Sequence, residues 1–538
     1  MNRHGQNVDT HMWAARTLPQ ILAAQAAGRP HAPALLVVDP DTSTRECLNY
    51  QELEERTNRV ANALRTCGIE YGDRVAVLAH NSREFVECLL AVAKLGAVFV
   101  PLNAASTSFE CCYILSSCQV KLLIAEEELL VEEIEQLVPM VVCIRTAYEN
   151  HGAFRGSELT YEELVSCAST EFEEPNISAG DLVEIMFTSG TTSRPKGVML
   201  THANFAFSGH YVMWELGMKS EDRYLSAMSA SHINLQLSAL LPTLTSGACL
   251  VLLRRYSATT FWRDVRETQA TLIQAMAMVV RTLSLQPYSP GEKEHKVREV
   301  HYFLPISKKE KEEFEERFGV RLLNNYGSTE SLVGVLTDPP TGVRNWPSIG
   351  KPGPGYDVKI VGEDGHTCSE GVCGEIWIRG EIGVSLMAGY WKDEAATSAV
   401  FEGSWYRSGD WGYEKEGWIY FVDRRADLIK RAGENVSASE IESVLRAAPG
   451  VGDAAVIGIP DDIRDEAIKA VVVPKAGERV NISKIREYAQ AHLSYFKVPQ
   501  YFEIRSELPL GEYGKVVKSA LRGSFAANER KSINDDQD

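Results

Sequence analysis

Short apolar runs and helix-patterned segments alternate along the first half of this chain, and no other feature constrains its fold as much. Residues 51–67 set Leu53, Val60 and Leu64 on one stripe, as an amphipathic helix does. Residues 74–79 (RVAVLA) read as a buried strand, 82–95 as a helix and 97–102 as a second strand. The pattern recurs at 121–125 and 140–145, separated by a glutamate-rich run (125–137, AEEELLVEEIEQL) expected to be the solvated face of a helix. Strands that are apolar throughout must be covered on both faces, and strand–helix–strand order joins parallel neighbours. The expected class is α/β, with a large N-terminal domain of parallel-sheet α/β subdomains.

The texture changes near residue 350, where glycines punctuate short alternating runs (VKIVGEDGH, GEIWIRG, SWYRSGDWG, GWIYFVDRR), the mark of a small β-rich unit with tight turns. Beyond residue 423 a helix (438–445), two strands (454–459 and 467–474) and another helix (482–493) suffice for a smaller C-terminal α/β domain. The expected division is residues 1–423, 427–522 and a polar tail, 523–538, without periodicity and expected to be disordered. At 538 residues the chain is too long for a single core.

Charge and composition remove several classes. A net charge of -18, from 55 basic and 73 acidic side chains, argues against nucleic acid as a partner. The most apolar stretch, 85–102, contains Glu87 and Lys94 and reads as a buried helix running into a strand, so no membrane span is expected. The N-terminus lacks an apolar core and a cleavage pattern. Eleven cysteines without a CxxC pair fit neither a disulfide framework nor a metal cluster. A cytoplasmic location is expected, and the oligomeric state stays open, a homo-oligomer included.

The strongest chemical signal is residues 187–197, FTSGTTSRPKG, between two strand-like runs. Thr188, Ser189, Gly190, Thr191 and Thr192 offer hydroxyls and closely spaced backbone N–H groups, and glycine lets the chain bend around an oxyanion. Lys196 adds a mobile positive charge suited to polyphosphate. The order GxxxxGK[ST] is missing, so this is no Walker loop. By composition alone, a flexible Ser/Gly linker is the alternative.

The order of residues in this loop resembles the signature of the adenylate-forming superfamily, which holds acyl-CoA synthetases, luciferases and peptide-synthetase adenylation domains. Four further segments match in sequence: YGSTE at 326–330, YRSGD at 406–410, DRRADLIKRAGENVSASEIE at 423–442 and LPLGEYGK at 508–515. The likeness spans about residues 48–522. It implies an acid–thiol ligase that uses ATP, Mg2+ and coenzyme A, joining a small carboxylic acid to AMP and then to the thiol, with release of pyrophosphate and AMP.

The resemblance implies these roles. Thr188, Ser189, Gly190, Thr191, Thr192 and Lys196 hold phosphates; Tyr326, Gly327, Ser328 and Thr329 lie on the adenine side, with Glu330 near the metal. Asp410 holds the ribose hydroxyls, for which two carboxylate oxygens suit two vicinal O–H groups, and Arg424 reaches the same sugar. A magnesium ion accepts one or two carboxylates besides phosphate oxygens, which suits Glu330. Lys515 is catalytic, bridging the substrate carboxylate and the α-phosphate, together with Glu330, Thr188 and Lys196. Residues 424–426 form a hinge centred on Ala426, and the loop holding Lys430, Gly433, Glu434 and Asn435 lines the coenzyme A side.

Two departures narrow the substrate. Ser231 precedes His232 where relatives usually carry an aromatic, and 301–323 (HYFLPISKKEKEEFEERFGVRLL) replaces a Gly-Gly-Ala stretch. Segments such as RYSATTFW, WPSIGKPG, FVDRRADLIKRAGENVS and FKVPQYFEIR resemble the crotonobetaine/carnitine–CoA ligase subgroup. That likeness implies a short acid bearing a trimethylammonium group, such as crotonobetaine, carnitine or γ-butyrobetaine. An aromatic face suits such a cation, and Tyr211 and Trp214 lie one helical turn apart, with His232 a further candidate for the acyl pocket; plain packing on an amphipathic helix is their alternative. The motifs also fit a CoA ligase for another short or medium-chain acid, an adenylation enzyme serving a carrier protein, a luciferase-like oxygenase, or a nucleotide-binding regulator.

Overall fold

The computed structural model describes residues 10–145, 159–188, 195–304, 306–332, 334–362, 364–424, 428–432, 434–475, 477–509, 516 and 518–522. They form two compact units: Met1–Ala104, Ile114–Phe187 and Gly197–Asp423 in the first, and Ala105–Tyr113, Thr188–Lys196 and Arg424–Asp538 in the second.

Two large sheets with parallel cores build the first unit. The nine-stranded sheet runs, in spatial order, Lys351–Pro352, Leu336–Thr337, Leu322–Tyr326, Glu299–Phe303, Leu272–Met276, Arg223–Ser226, Cys249–Leu253, Pro33–Val38 and Arg45–Asn49. From Leu322–Tyr326 to Pro33–Val38 every pairing is parallel, while the outer strands on both sides pair antiparallel. The seven-stranded sheet has the order Gly389–Tyr390, Lys196–Thr201, Leu182–Thr188, Val98–Asn103, Arg74–Ala79, Leu122–Glu126 and Val141–Ile144. Uniform burial, as in Cys249–Leu253, is what strands covered by helices on both faces require.

Helices start where the local chemistry dictates. Tyr50–Thr66 begins at Asn49, whose side chain accepts from Glu52 N–H while the Glu52 carboxylate accepts from Asn49 N–H. The helix Arg83–Lys94 is buried all round, and its charges are paired. Lys94 Nζ donates to Glu54 at 2.5 Å and Asn58 at 2.6 Å, and Glu87 accepts from Arg56, Arg83 and Tyr161. Among the described residues no helix is long and apolar enough to cross a membrane.

A five-stranded antiparallel sheet of Asp357–Val361, Gly374–Arg379, Trp405–Lys415, Phe401–Glu402 and Trp418–Arg424 is the β-rich unit expected after residue 350. In the second unit, Val451–Asp461 and Asp465–Pro474 form a long hairpin packed by the helices Ala438–Ala447 and Ile482–His492. Its fixed polar centre is Lys497, buried, with Nζ 2.8 Å from Glu110 and 2.9 Å from Glu440.

Two local expectations change. The glutamate-rich run is not one helix: the strand Leu122–Glu126 continues into it, followed by a 3-10 turn, Glu127–Leu129, and a single helical turn, Glu132–Glu135. Glu126 is fully buried and pairs with His80 and Arg254, so its charge belongs to an interior ion network. The expected loop on the coenzyme A side is a β-hairpin, Leu428–Arg431 with Glu434–Ser437, turning at Ala432 with φ 49°. Ile429 faces Val436 across it and both are buried, which is what converts the segment from loop to ladder. The tail 523–538 lies outside the described residues.

Candidate active site

Tyr326 ends the strand Leu322–Tyr326, and its hydroxyl donates to Asp410 Oδ2 at 2.6 Å. Asp410 is buried in the strand Trp405–Lys415, at an irregularity where the pairing with Gly374–Arg379 shifts register. The shift has a local cause. Gly409 turns with φ 73°, its N–H donating to Glu375 Oε1 at 3.1 Å, and Ser408 Oγ donates to Ile376 O at 2.6 Å and accepts from Asp410 N–H. A bulge re-aims one side chain of a strand, and here it sets Asp410 against the YGSTE segment. Two motifs 84 residues apart thereby share one hydrogen bond.

The rest of YGSTE is tied down. Ser328 Oγ accepts from Ser331 N–H at 3.2 Å and lies 3.0 Å from Ser331 Oγ, fixing the turn through the exposed Gly327 and the buried Thr329. Glu330, half-buried, accepts from the Tyr390 hydroxyl at 2.9 Å, and its backbone carbonyl accepts from Met387 N–H. A half-buried carboxylate with one oriented oxygen suits a hard cation. Leu304 (φ 78°) and Leu332 (φ 66°) follow the strand Glu299–Phe303 and the YGSTE turn; left-handed backbone at branched residues gathers at ligand sites, and neither position carries a sequence signal.

The acyl-pocket candidates divide. Tyr211 has no exposed surface; its hydroxyl donates to Gly334 O, and Trp13, Phe207, Trp214 and Tyr356 pack around its ring. Burial, with Glu215 nearby, pushes its phenol well above the ordinary tyrosine range. Trp214 is half-buried and meets the edge of Tyr211 at 5.6 Å. His232 caps the short helix Ile233–Leu235, with Nδ1 accepting from Asn234 N–H at 3.3 Å, and the π-turn Gln236–Leu240 follows.

Thr188 ends one strand and Lys196 starts the next, both half-buried. Lys430 pairs with Asn435 across the hairpin, its N–H donating to Glu466 Oε2 at 2.8 Å, and Glu434 is half-buried. Ser189, Gly190, Thr191, Thr192, Ala426, Gly433 and Lys515 lie outside the described residues, as do the side chains of Arg424 and Asn435. Sequence reasoning missed Tyr390, and with it a buried cluster of Glu215, His301 and Asn325 behind Tyr211. The lone carboxylate in the otherwise apolar run YVMWELGM was the one available signal.

Residues 22–391 match the family described as AMP-binding enzyme, and residues 440–515 the AMP-binding enzyme C-terminal domain. A crotonobetaine/carnitine–CoA ligase of Salmonella paratyphi A is 41% identical over 487 residues, 88% of this chain and 93% of that protein. Among solved structures, an o-succinylbenzoate CoA synthetase from Bacillus subtilis superposes with a TM-score of 0.82 at 28% identity, covering 94% of this chain and 98% of that one. An amide bond synthetase from Marinactinospora thermotolerans gives a TM-score of 0.83 at 25% identity, covering 95% of this chain and 100% of that one. The chain belongs to the AMP-binding, adenylate-forming enzyme family.

Proposed function

We propose that this enzyme is an ATP-dependent carboxylic acid–CoA ligase acting on a short acid with a quaternary ammonium group, such as crotonobetaine, carnitine or γ-butyrobetaine. The observation that carries this reading is the 41% identity to a crotonobetaine/carnitine–CoA ligase across 88% of the chain. The Tyr326–Asp410 contact supports it by joining the adenine-side and ribose-side motifs.

In the first half-reaction a substrate carboxylate oxygen attacks the α-phosphorus of ATP and pyrophosphate leaves. Thr188, Lys196 and the hydroxyl-rich loop between them hold the phosphates, and Asp410 and Arg424 hold the ribose. Lys515 bridges the two anions that must meet, lowering a barrier that is largely electrostatic. Glu330 would hold Mg2+, which supplies charge neutralisation to the phosphates. In the second half-reaction the coenzyme A thiol attacks the acyl carbonyl and AMP leaves. The two steps need different groups over the acyl-phosphate, which a turn of the C-terminal domain about residues 424–426 supplies, with the 428–437 hairpin on the thiol side.

Pyrophosphate release over a panel of carboxylic acids, with and without coenzyme A, tests the reading. Expected is pyrophosphate with betaine acids and ATP, and thioester only when coenzyme A is present. Silence with every acid removes the ligase assignment.

A further inference from the structure

Glu184 lies in the strand Leu182–Thr188, where it pairs with Phe99, and it is fully buried. Among the described residues neither of its carboxylate oxygens has a hydrogen-bond partner. The side chain of Gln236 stands beside it, also fully buried, at the start of the π-turn Gln236–Leu240. Gln236 Nε2 donates to Ala230 O at 3.0 Å, and its Oε1 has no donor. Turning the amide over would set Oε1 against that carbonyl, so its orientation is fixed. What remains toward Glu184 is the amide's second N–H and its unused oxygen.

A carboxylate answers only half of such an edge, because it accepts and never donates. A carboxylic acid answers both halves: its carbonyl oxygen accepts the N–H and its O–H donates to Oε1. Burial favours the same form. An isolated charge in a low-dielectric interior is costly, and burial pushes the Glu184 carboxyl well above the ordinary 4.5, with the Gln236 amide alone acting against it.

Gln236 in turn grips the turn that carries His232. Besides the side-chain bond to Ala230 O, its backbone N–H donates to His232 O at 3.3 Å, and His232 N–H donates to Ser229 O at 3.0 Å. On the other side of the turn Asn81 Oδ1 accepts from Ala230 N–H at 2.7 Å, and Asn81 Nδ2 donates to Met228 O and Leu253 O. His232 therefore stands on a turn clamped by two buried amides, one of which Glu184 backs. We propose that Glu184, as a neutral carboxylic acid, is a positioning residue for the acyl pocket, holding His232 in place through Gln236; this rests on the reading that His232 lines that pocket.

The test is the kinetics of pyrophosphate release in the full-length enzyme, with crotonobetaine or whichever acid of the panel turns over fastest. Glu184→Leu leaves the Gln236 edge unanswered and should raise the KM for the acid about fivefold or more, while the KM for ATP holds. Glu184→Gln is neutral, of equal length, and both donates and accepts, so it should restore the acid KM to within about twofold of the wild type. A residue that only supports the fold would lower the active fraction, and so kcat, without moving the acid KM; that result overturns the proposal. So does a glutamine variant as impaired in acid KM as the leucine one, because the carboxyl would then act through its charge. His232→Ala keeps the two readings apart. If it leaves the acid KM unchanged, the pocket reading falls; if it raises that KM and Glu184→Leu does not, the role of Glu184 falls alone. Should Glu184→Leu fail to fold, the infrared difference between the wild type and Glu184→Gln decides at about pH 8, where exposed carboxyls are ionised. A protonated-carboxyl band in the wild type is expected, and its absence overturns the neutral acid.

Discussion

At the scale of single residues, Asp410 concentrates the most testable chemistry. It is buried, held in place by a bulge, and bonded to Tyr326 at 2.6 Å. A carboxylate that binds ribose should lose nucleotide affinity when truncated, and hydrogen bonds to a charged group are worth roughly 1.5–3 kcal/mol each. Asp410→Ala is therefore expected to weaken ATP binding by at least about tenfold. Tyr326→Phe removes only the bond that orients the carboxylate, and its effect should be smaller, a few-fold at about 1 kcal/mol. Calorimetric titration with ATP ranks the two variants, and unchanged affinity in Asp410→Ala would remove the ribose role. Tyr326 and Asp410, which one hydrogen bond joins, could be singled out from sequence because each sits in a short run whose order is distinctive. Glu215 could not: one carboxylate on an apolar helix becomes informative only when the fold brings its partners, Asn325 and His301, beside it.

At the scale of elements, the parallel strands were legible because uniformly apolar runs have few other uses. The glutamate-rich run misled because its charges were counted as solvated, whereas Glu126 ends a strand inside the protein. That residue ties strand ends of both large sheets together: His80 follows Arg74–Ala79, and Arg254 follows Cys249–Leu253. Burial alone would raise the Glu126 carboxyl, but its bonds to His80 and Arg254 outweigh burial and hold it below the ordinary 4.5. The hydrogen bond to Glu126 raises His80 above its ordinary 6.5, against the opposing effect of burial. A lowered acid stabilises above its unfolded value, and that contribution is lost as pH falls through the folded one. A raised histidine stabilises fully below its unfolded value, and that contribution is lost as pH rises through the folded one. The network thus contributes fully between the ordinary values of 4.5 and 6.5. Urea midpoints measured across pH should decline above 6.5 in the wild type and do so less steeply in His80→Gln. Identical slopes would mean that His80 titrates alike in the folded and unfolded chain.

At the scale of the whole molecule, the reaction asks one chain to assemble two different chemistries on one acyl group. The proposed phosphate-binding residues, the ribose carboxylate and Lys515 are spread over more than three hundred positions: the first fall within the match at 22–391, Lys515 ends the match at 440–515, and Asp410 lies between the two. Such a division makes sense if Lys515 is needed in one half-reaction and must be absent from the other. Adenylation sets a carboxylate against a triphosphate, and a cation between them lowers the repulsion as the new bond forms. Thioester formation has no such meeting of anions: a thiol attacks a carbonyl already activated by its phosphate leaving group. Lys515→Ala should therefore abolish pyrophosphate release from acid and ATP while leaving thioester formation from supplied acyl-adenylate close to the wild-type rate. The supplied intermediate matters, because a variant blocked at the first step shows no overall turnover whatever the state of the second. Rapid-quench assays of each half-reaction separate the two cases. Equal loss in both, in a variant whose thermal unfolding matches the wild type, would mean that the lysine does not act on the first transition state alone.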